Sequence, residues 1–112
     1  MGLVTGAYYF MNKPTIIKIN KWTFKSNTEC ATRIELEDIT MAIQITPCME
    51  DKLQYFGLAN VYFKNNGISY EINGPILDEN GNHISKLDQA KETFIKMFNI
   101  NLGKLLNIIV EE

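Results

Sequence analysis

His83 is the single histidine of the chain, so any Ser-His-Asp or Cys-His relay would have to use it. It stands in Asp78-Glu79-Asn80-Gly81-Asn82-His83, a run of turn-forming residues. A solvated turn histidine is therefore the expectation, not one held beside a nucleophile. Asp78, Asn80 and Asn82 also occupy positions 1, 3 and 5 of a calcium-loop pattern. That pattern demands Gly at position 6 and Glu at position 12, where this chain has His83 and Gln89. An Asx-rich turn accounts for the run more simply, and no metal or cofactor is assigned. Carboxylates pair at Glu35/Glu37, Glu50/Asp51 and Asp78/Glu79. Acid–base work on a glycoside needs one such acid in an apolar cleft, which no stretch of this sequence promises. There is no P-loop, no GxGxxG after a strand, no HExxH and no GxSxG. Cys30 and Cys48 show no CxxC or metal spacing, and free thiols in a reducing cytosol are expected.

Two clusters suggest binding instead. Lys13, Lys18, Lys21 and Lys25 fall within residues 1–28, which hold no acid, and they interleave with Trp22 and Phe24. Cations beside aromatic platforms suit single-stranded nucleic acid. The absence of arginine from this stretch argues the other way, because the guanidinium fork is the favoured phosphate ligand. Residues 29–112 carry thirteen acids against seven Lys and Arg, with Glu35, Glu37 and Asp38 close together. These three, with Tyr8 and Tyr9 of the aromatic N-terminal stretch, are the candidate contacts to a protein partner.

The elements that must position these residues follow from hydrophobic spacing. Ile17 and Ile19 share one parity, Trp22 and Phe24 the other. A single strand over 15–25 would keep all four inside only with a bulge near Asn20-Lys21. Cys30, Thr32, Ile34 and Leu36 alternate in one phase; Ile39, Met41, Ile43 and Ile45 alternate in the other. The switch at Glu37-Asp38 is either a tight turn or a bulge. Pro47 should end that segment. Leu53–Phe63 reads as a central strand, with Asn65-Asn66-Gly67 as a hairpin turn. Ile68, Tyr70 and Ile72 return from it. Asn73-Gly74-Pro75 should turn again before a short strand at Ile76-Leu77. Ser85 is the expected N-cap of an amphipathic helix running to about Asn99, on Leu87, Ala90, Phe94, Met97 and Phe98. Residues 101–110 have both helical and strand spacing, and the leaning is to a second short helix.

The predicted fold is therefore α+β. A bent antiparallel sheet of five to six strands is followed by a helix on one face. Ile17, Ile19, Trp22, Ile34, Leu36, Ile43, Val61, Phe63, Tyr70, Leu87, Phe94 and Phe98 line the core. The 112 residues suit one domain, 1–112, with 1–12 as an arm or an extension before a second start at Met11. A chain of this size buries roughly two-thirds of its unfolded surface. At 46% hydrophobic and 21% charged, it should not need a disulfide or metal to hold together. The net charge of −2 gives no general pull toward nucleic acid or anionic membrane. No apolar run approaches the ~20 residues of a membrane span, and no secretory leader is expected at the N-terminus.

A small cytoplasmic domain without a visible active site most often acts by binding. The leading expectation is a non-enzymatic protein-binding module of inhibitor, immunity or accessory type, of the kind phage and mobile elements encode. Homodimerisation through a strand edge and Leu105–Val110 is its specific form. The alternatives are single-stranded nucleic-acid binding through 13–25, and a calcium-responsive or enzymatic domain centred on 78–88.

Overall fold

A computed structural model describes residues 13–49 and 53–112. The fold is α+β, built on a five-stranded antiparallel meander with a helical segment across one face. The first element of the described residues is β1 (Thr15–Lys18). The meander runs β2 (Thr23–Ser26), β3 (Glu29–Glu35), β4 (Ile39–Met49), β5 (Leu53–Phe63) and β6 (Ile68–Pro75), in that spatial order. The helix α1 (Leu87–Phe98) then passes into a π-helical turn, Asn99–Gly103, and a last helical turn, α2 (Lys104–Leu106). The chain closes with β7 (Ile108–Glu111), which pairs in parallel with β1.

The first phase change is resolved differently from expectation. Residues 15–25 do not make one bulged strand. They make β1 and β2, which belong to separate sheets. Ile17 and Ile19 are buried through β1, while Phe24 on the edge strand β2 is exposed, not core. The Thr32 hydroxyl fixes the crossing by donating to the Lys21 carbonyl at 2.7 Å. The second phase change is a turn. Leu36 N–H donates to the Ile39 carbonyl at 2.8 Å, and both apolar runs face inward.

Two expected stops are not stops. β4 continues through Pro47, which lies opposite Tyr55. The β3 ladder has already ended at Cys30↔Ile45, so the missing N–H falls where β4 has no neighbour on that side. β6 likewise runs through Asn73-Gly74-Pro75 on an outer edge, and Ile76-Leu77 is reduced to one bridge, Leu77↔His83. Tyr70 lies on the inner side by register but is exposed, because the helical layer does not cover that margin.

The core is one cluster between the sheet and the layer formed by the helix and the β1–β7 ribbon. Ala90, Phe94, Ile95 and Phe98 form the buried stripe of α1. Each fully buried phenylalanine is worth about 1.5–3 kcal/mol of transfer free energy. Gly57 on β5 admits Phe94, since a Cβ there would overlap the ring. Helix and strand therefore meet more closely here than a side chain at position 57 would allow. The expected N-cap is shifted: Lys86 holds that position without a side-chain cap bond, and Ser85 is exposed.

Residues 101–110 combine both readings, helix to Leu106 and then strand. Asn107 makes the change of direction with φ 58°, a left-handed conformation that asparagine tolerates. The apolar tail is not free, for Ile108 and Val110 are core. Asn99 locks it by donating from Nδ2 to the Val110 carbonyl at 3.0 Å and accepting its N–H at 2.8 Å.

Candidate functional site: the open face of the sheet

With helix and ribbon on one side, the other face of the meander is bare among the described residues. Strand alternation and register set its rows. Thr23, Ala31, Gln44, Leu58 and Asn73 lie side by side; Arg33, Ala42, Asn60 and Glu71 form the next row. Glu35, Thr40, Tyr62 and Ser69 form a third, and Thr46, Phe56 and Pro75 a fourth. The small side chains of Ala31 and Ala42 leave a shallow trough of about 320 Å³, bounded by Lys25, Arg33, Gln44 and Leu58. Phe56 and Tyr62 stand out beside it, 37% and 40% exposed.

The acidic residues singled out from the sequence sit at one end of this face. Glu35 is not a bare charge. Arg33 Nη2 donates to its Oε1 at 3.0 Å, Lys64 Nζ to its Oε2 at 3.1 Å, and Thr40 Oγ1 to Oε1 at 3.3 Å. The hydrogen bond from Arg33, then that from Lys64, holds the carboxyl below its ordinary range. Lys64 also ties down the β3–β4 turn, donating from Nζ to the Leu36 carbonyl at 2.7 Å and from its backbone N–H to Asp38 at 2.9 Å. Glu37 and Asp38 project from that turn, exposed, with no side-chain bond or ion pair among the described residues. Tyr8 and Tyr9 lie outside the described residues.

The basic-aromatic residues are spread over several elements. Lys18 lies on β1, Lys25 on β2, Lys21 between them, and Lys13 precedes β1. Trp22 is half-buried, with Nε1 buried and unpartnered. Lys91 Nζ, from α1, lies 5.4 Å from the Trp22 ring centre and 5.1 Å from that of Phe24, and pairs with Asp88 at 3.3 Å. The protein's own cation thus already sits against the rings on which a base would stack. No sequence spacing marks Lys91 as their partner, because helix and strand meet only in the tertiary fold.

His83 is a correction. It is half-buried, with Nδ1 buried and unpartnered, and not a solvated turn residue. The Asp78–Asn82 turn is an Asx turn in which Asp78 Oδ1 accepts the N–H groups of Asn80 and Asn82, both at 2.9 Å. No group of three His, Cys, Asp or Glu side chains among the described residues is placed to hold a metal. Between this loop and α1 runs a groove of about 740 Å³. Gln89, Glu92, Thr93, Lys96, Met97 and Ile100 line its helical wall at i, i+3, i+4 spacing, with His83 opposite.

The thiols are separate. Cys30 faces the core, and burial pushes it up to about 11; Cys48 is half-buried at a position of the opposite parity. No described helix is long and apolar enough to cross a membrane. No protein-family model, curated protein or solved structure matches the chain.

Proposed function

We propose that this chain is a non-enzymatic protein-binding module of inhibitor, immunity or accessory type, and that the open sheet face is its working surface. The observation that carries the reading is the exposure of Phe56 and Tyr62 beside the Leu58-bounded trough, next to Arg33. Aromatic side chains and arginine are the residues that dominate binding energy at protein interfaces. The trough over the small residues Ala31 and Ala42 offers a seat for a partner side chain. The paired Arg33–Glu35–Lys64 group and the projecting Glu37 and Asp38 would supply the polar rim.

Affinity capture from the source cells tests this, using wild type and Leu58→Asp in parallel. Leu58 is only partly buried on the outer side, so the variant should keep its melting transition. A stoichiometric partner held by wild type and lost by Leu58→Asp is the expected result. A partner retained equally by both, or none at all, overturns the assignment of this face.

A second reading, ligand binding or chemistry in the groove around 78–88, rests on the buried, unpartnered Nδ1 of His83. An unsatisfied buried polar atom is uncommon enough to require a reason. A melting temperature unchanged by calcium and by EDTA would remove its calcium-responsive form.

A further inference from the structure

The five-stranded sheet ends in two very different edges. β2 has four residues, a register shift between Phe24 and Ser26, and Lys25 upon it. Short length, irregularity and lysine are the ordinary protections against edge pairing. β6 has none of these. It keeps an unbroken register with β5 from Phe63↔Ile68 to Phe56↔Pro75, and it contains no lysine or arginine. Its one charged side chain, Glu71, accepts a hydrogen bond from Asn73 Nδ2 at 2.8 Å.

The phase of the ladder tells which groups face out. Ile76 N–H donates to the Tyr55 carbonyl at 2.9 Å, so the even-numbered residues of β6 bond to β5. The N–H and C=O groups of Ser69, Glu71 and Asn73 therefore point away from the sheet. Among the described residues nothing pairs with this outward ladder, and Pro75, in the same outward set, ends it without disturbing the inner one. Beside this edge, on the helix side, Ile68 and Tyr70 remain 45% and 37% exposed. Tyr70 meets Phe63 edge-on, with ring centres 5.9 Å apart.

We infer that β6 pairs with β6 of a second copy, antiparallel, about a two-fold axis through Tyr70. This register sets Ser69 of each copy opposite Glu71 of the other, so that both residues exchange outward N–H and C=O bonds. It sets Ile68 against Ile72 and Tyr70 against Tyr70, which are aromatic and β-branched cross-strand pairs. Moving the axis to Glu71 would oppose two carboxylates and set Ile68 against Gly74, leaving Tyr70 against Ile72 as the apolar pair. A second copy is the occupant because this one segment satisfies, by symmetry, both the outward ladder and the apolar row beside it. The dimer would join two open faces into one ten-stranded surface. It does not depend on what binds that face.

Sedimentation equilibrium with wild type, Tyr70→Lys and Leu58→Asp provides the first test. Wild type and Leu58→Asp should sediment at twice the 12.8 kDa chain mass, and Tyr70→Lys at the single mass. The second uses Tyr70→Cys in a Cys48→Ser background. Opposed residues of a non-hydrogen-bonded pair stand about 4.5 Å apart at Cα, close enough for a disulfide. Mild oxidation should cross-link Tyr70→Cys quantitatively and leave Ile16→Cys monomeric. The cross-link reads the interface even where Tyr70→Lys lowers stability. A monomeric wild type, a dimer that survives Tyr70→Lys, or cross-linking at Ile16→Cys but not at Tyr70→Cys overturns the inference.

Discussion

At the scale of single residues, burial decides what the reactive groups do. Cys30 is enclosed and its thiol is raised from the ordinary 9.0 to about 11, chiefly by burial and against the pull of the Lys91 ammonium. The thiolate is the nucleophile, so Cys30 should be inert while Cys48 reacts. A thiol reagent at neutral pH should label one of the two cysteines in the native protein and both after denaturation. A raised pKa in the folded state means that folding favours the neutral thiol. Its stabilising share is complete below pH 9.0 and is lost as pH climbs toward about 11. Urea titrations across that window should show a falling midpoint, with a shallower fall in Cys30→Ala. Tyr55, also raised by burial, leans the same way. Glu35 has the opposite sign. Its carboxyl is lowered by bonds from Arg33 and Lys64, so its contribution is present above the ordinary 4.5 and fades as pH drops through the folded value. Full exposure keeps that contribution small. A carboxyl-carbon NMR titration should place Glu35 below 4.5, and Lys64→Ala should move it back up.

At the scale of elements, β5 and α1 meet closely at Gly57 and Phe94. Gly57 has an alternating-strand position that would normally carry an inward side chain. It has none because the Phe94 ring fills that space. Gly57→Ala should therefore destabilise by about 1–3 kcal/mol, as overpacking does. Urea denaturation checks the size, and a double-mutant cycle with Phe94→Leu should recover part of the loss. The π-helical turn follows from a comparable demand. Asn99 spends both its amide groups on Val110 of β7, and Gly103 lets the helix end approach the Ile108 carbonyl. A wider turn at that point is the local adjustment that lets helix and strand meet.

At the scale of the whole molecule, first and last strands close the fold on each other. Thr15 N–H donates to the Asn107 carbonyl at 2.9 Å and Ile19 N–H to Glu111 at 2.7 Å. Ile108 and Val110 are core, each worth about 1.5–3 kcal/mol of burial. Against a total stability of about 5–15 kcal/mol, removal of residues 108–112 should abolish cooperative unfolding. Thermal circular dichroism of the truncated chain reads this directly. Among the described residues the same closure leaves two kinds of surface: a covered face that holds the fold together, and an open face and edge that can meet a partner.

Hydrophobic phase alone determined much of this protein. A helix from Lys86 to about Asn99, a change of phase at Glu37-Asp38 and the Leu53–Phe63 strand follow from spacing, because period 2 and period 3.6 are local properties of the chain, and the hairpin at Asn65-Asn66-Gly67 follows from turn chemistry. Prolines at 47 and 75 looked like stops for the same local reason. Whether a missing N–H matters depends on which side of a strand has a neighbour, and only strand order decides that. The parallel β1–β7 pair, the division of 15–25 between two sheets, the exposure of Phe24 and Tyr70, and the Lys91 contact with Trp22 also belong to the tertiary structure. Each depends on residues far apart in the chain being brought together. Of the candidate site, Glu35, Glu37 and Asp38 were visible as charge, but the trough at Ala31 and Ala42 was not. Small residues at solvent-facing strand positions carry no signal until the opposite face is seen to be covered and theirs left open.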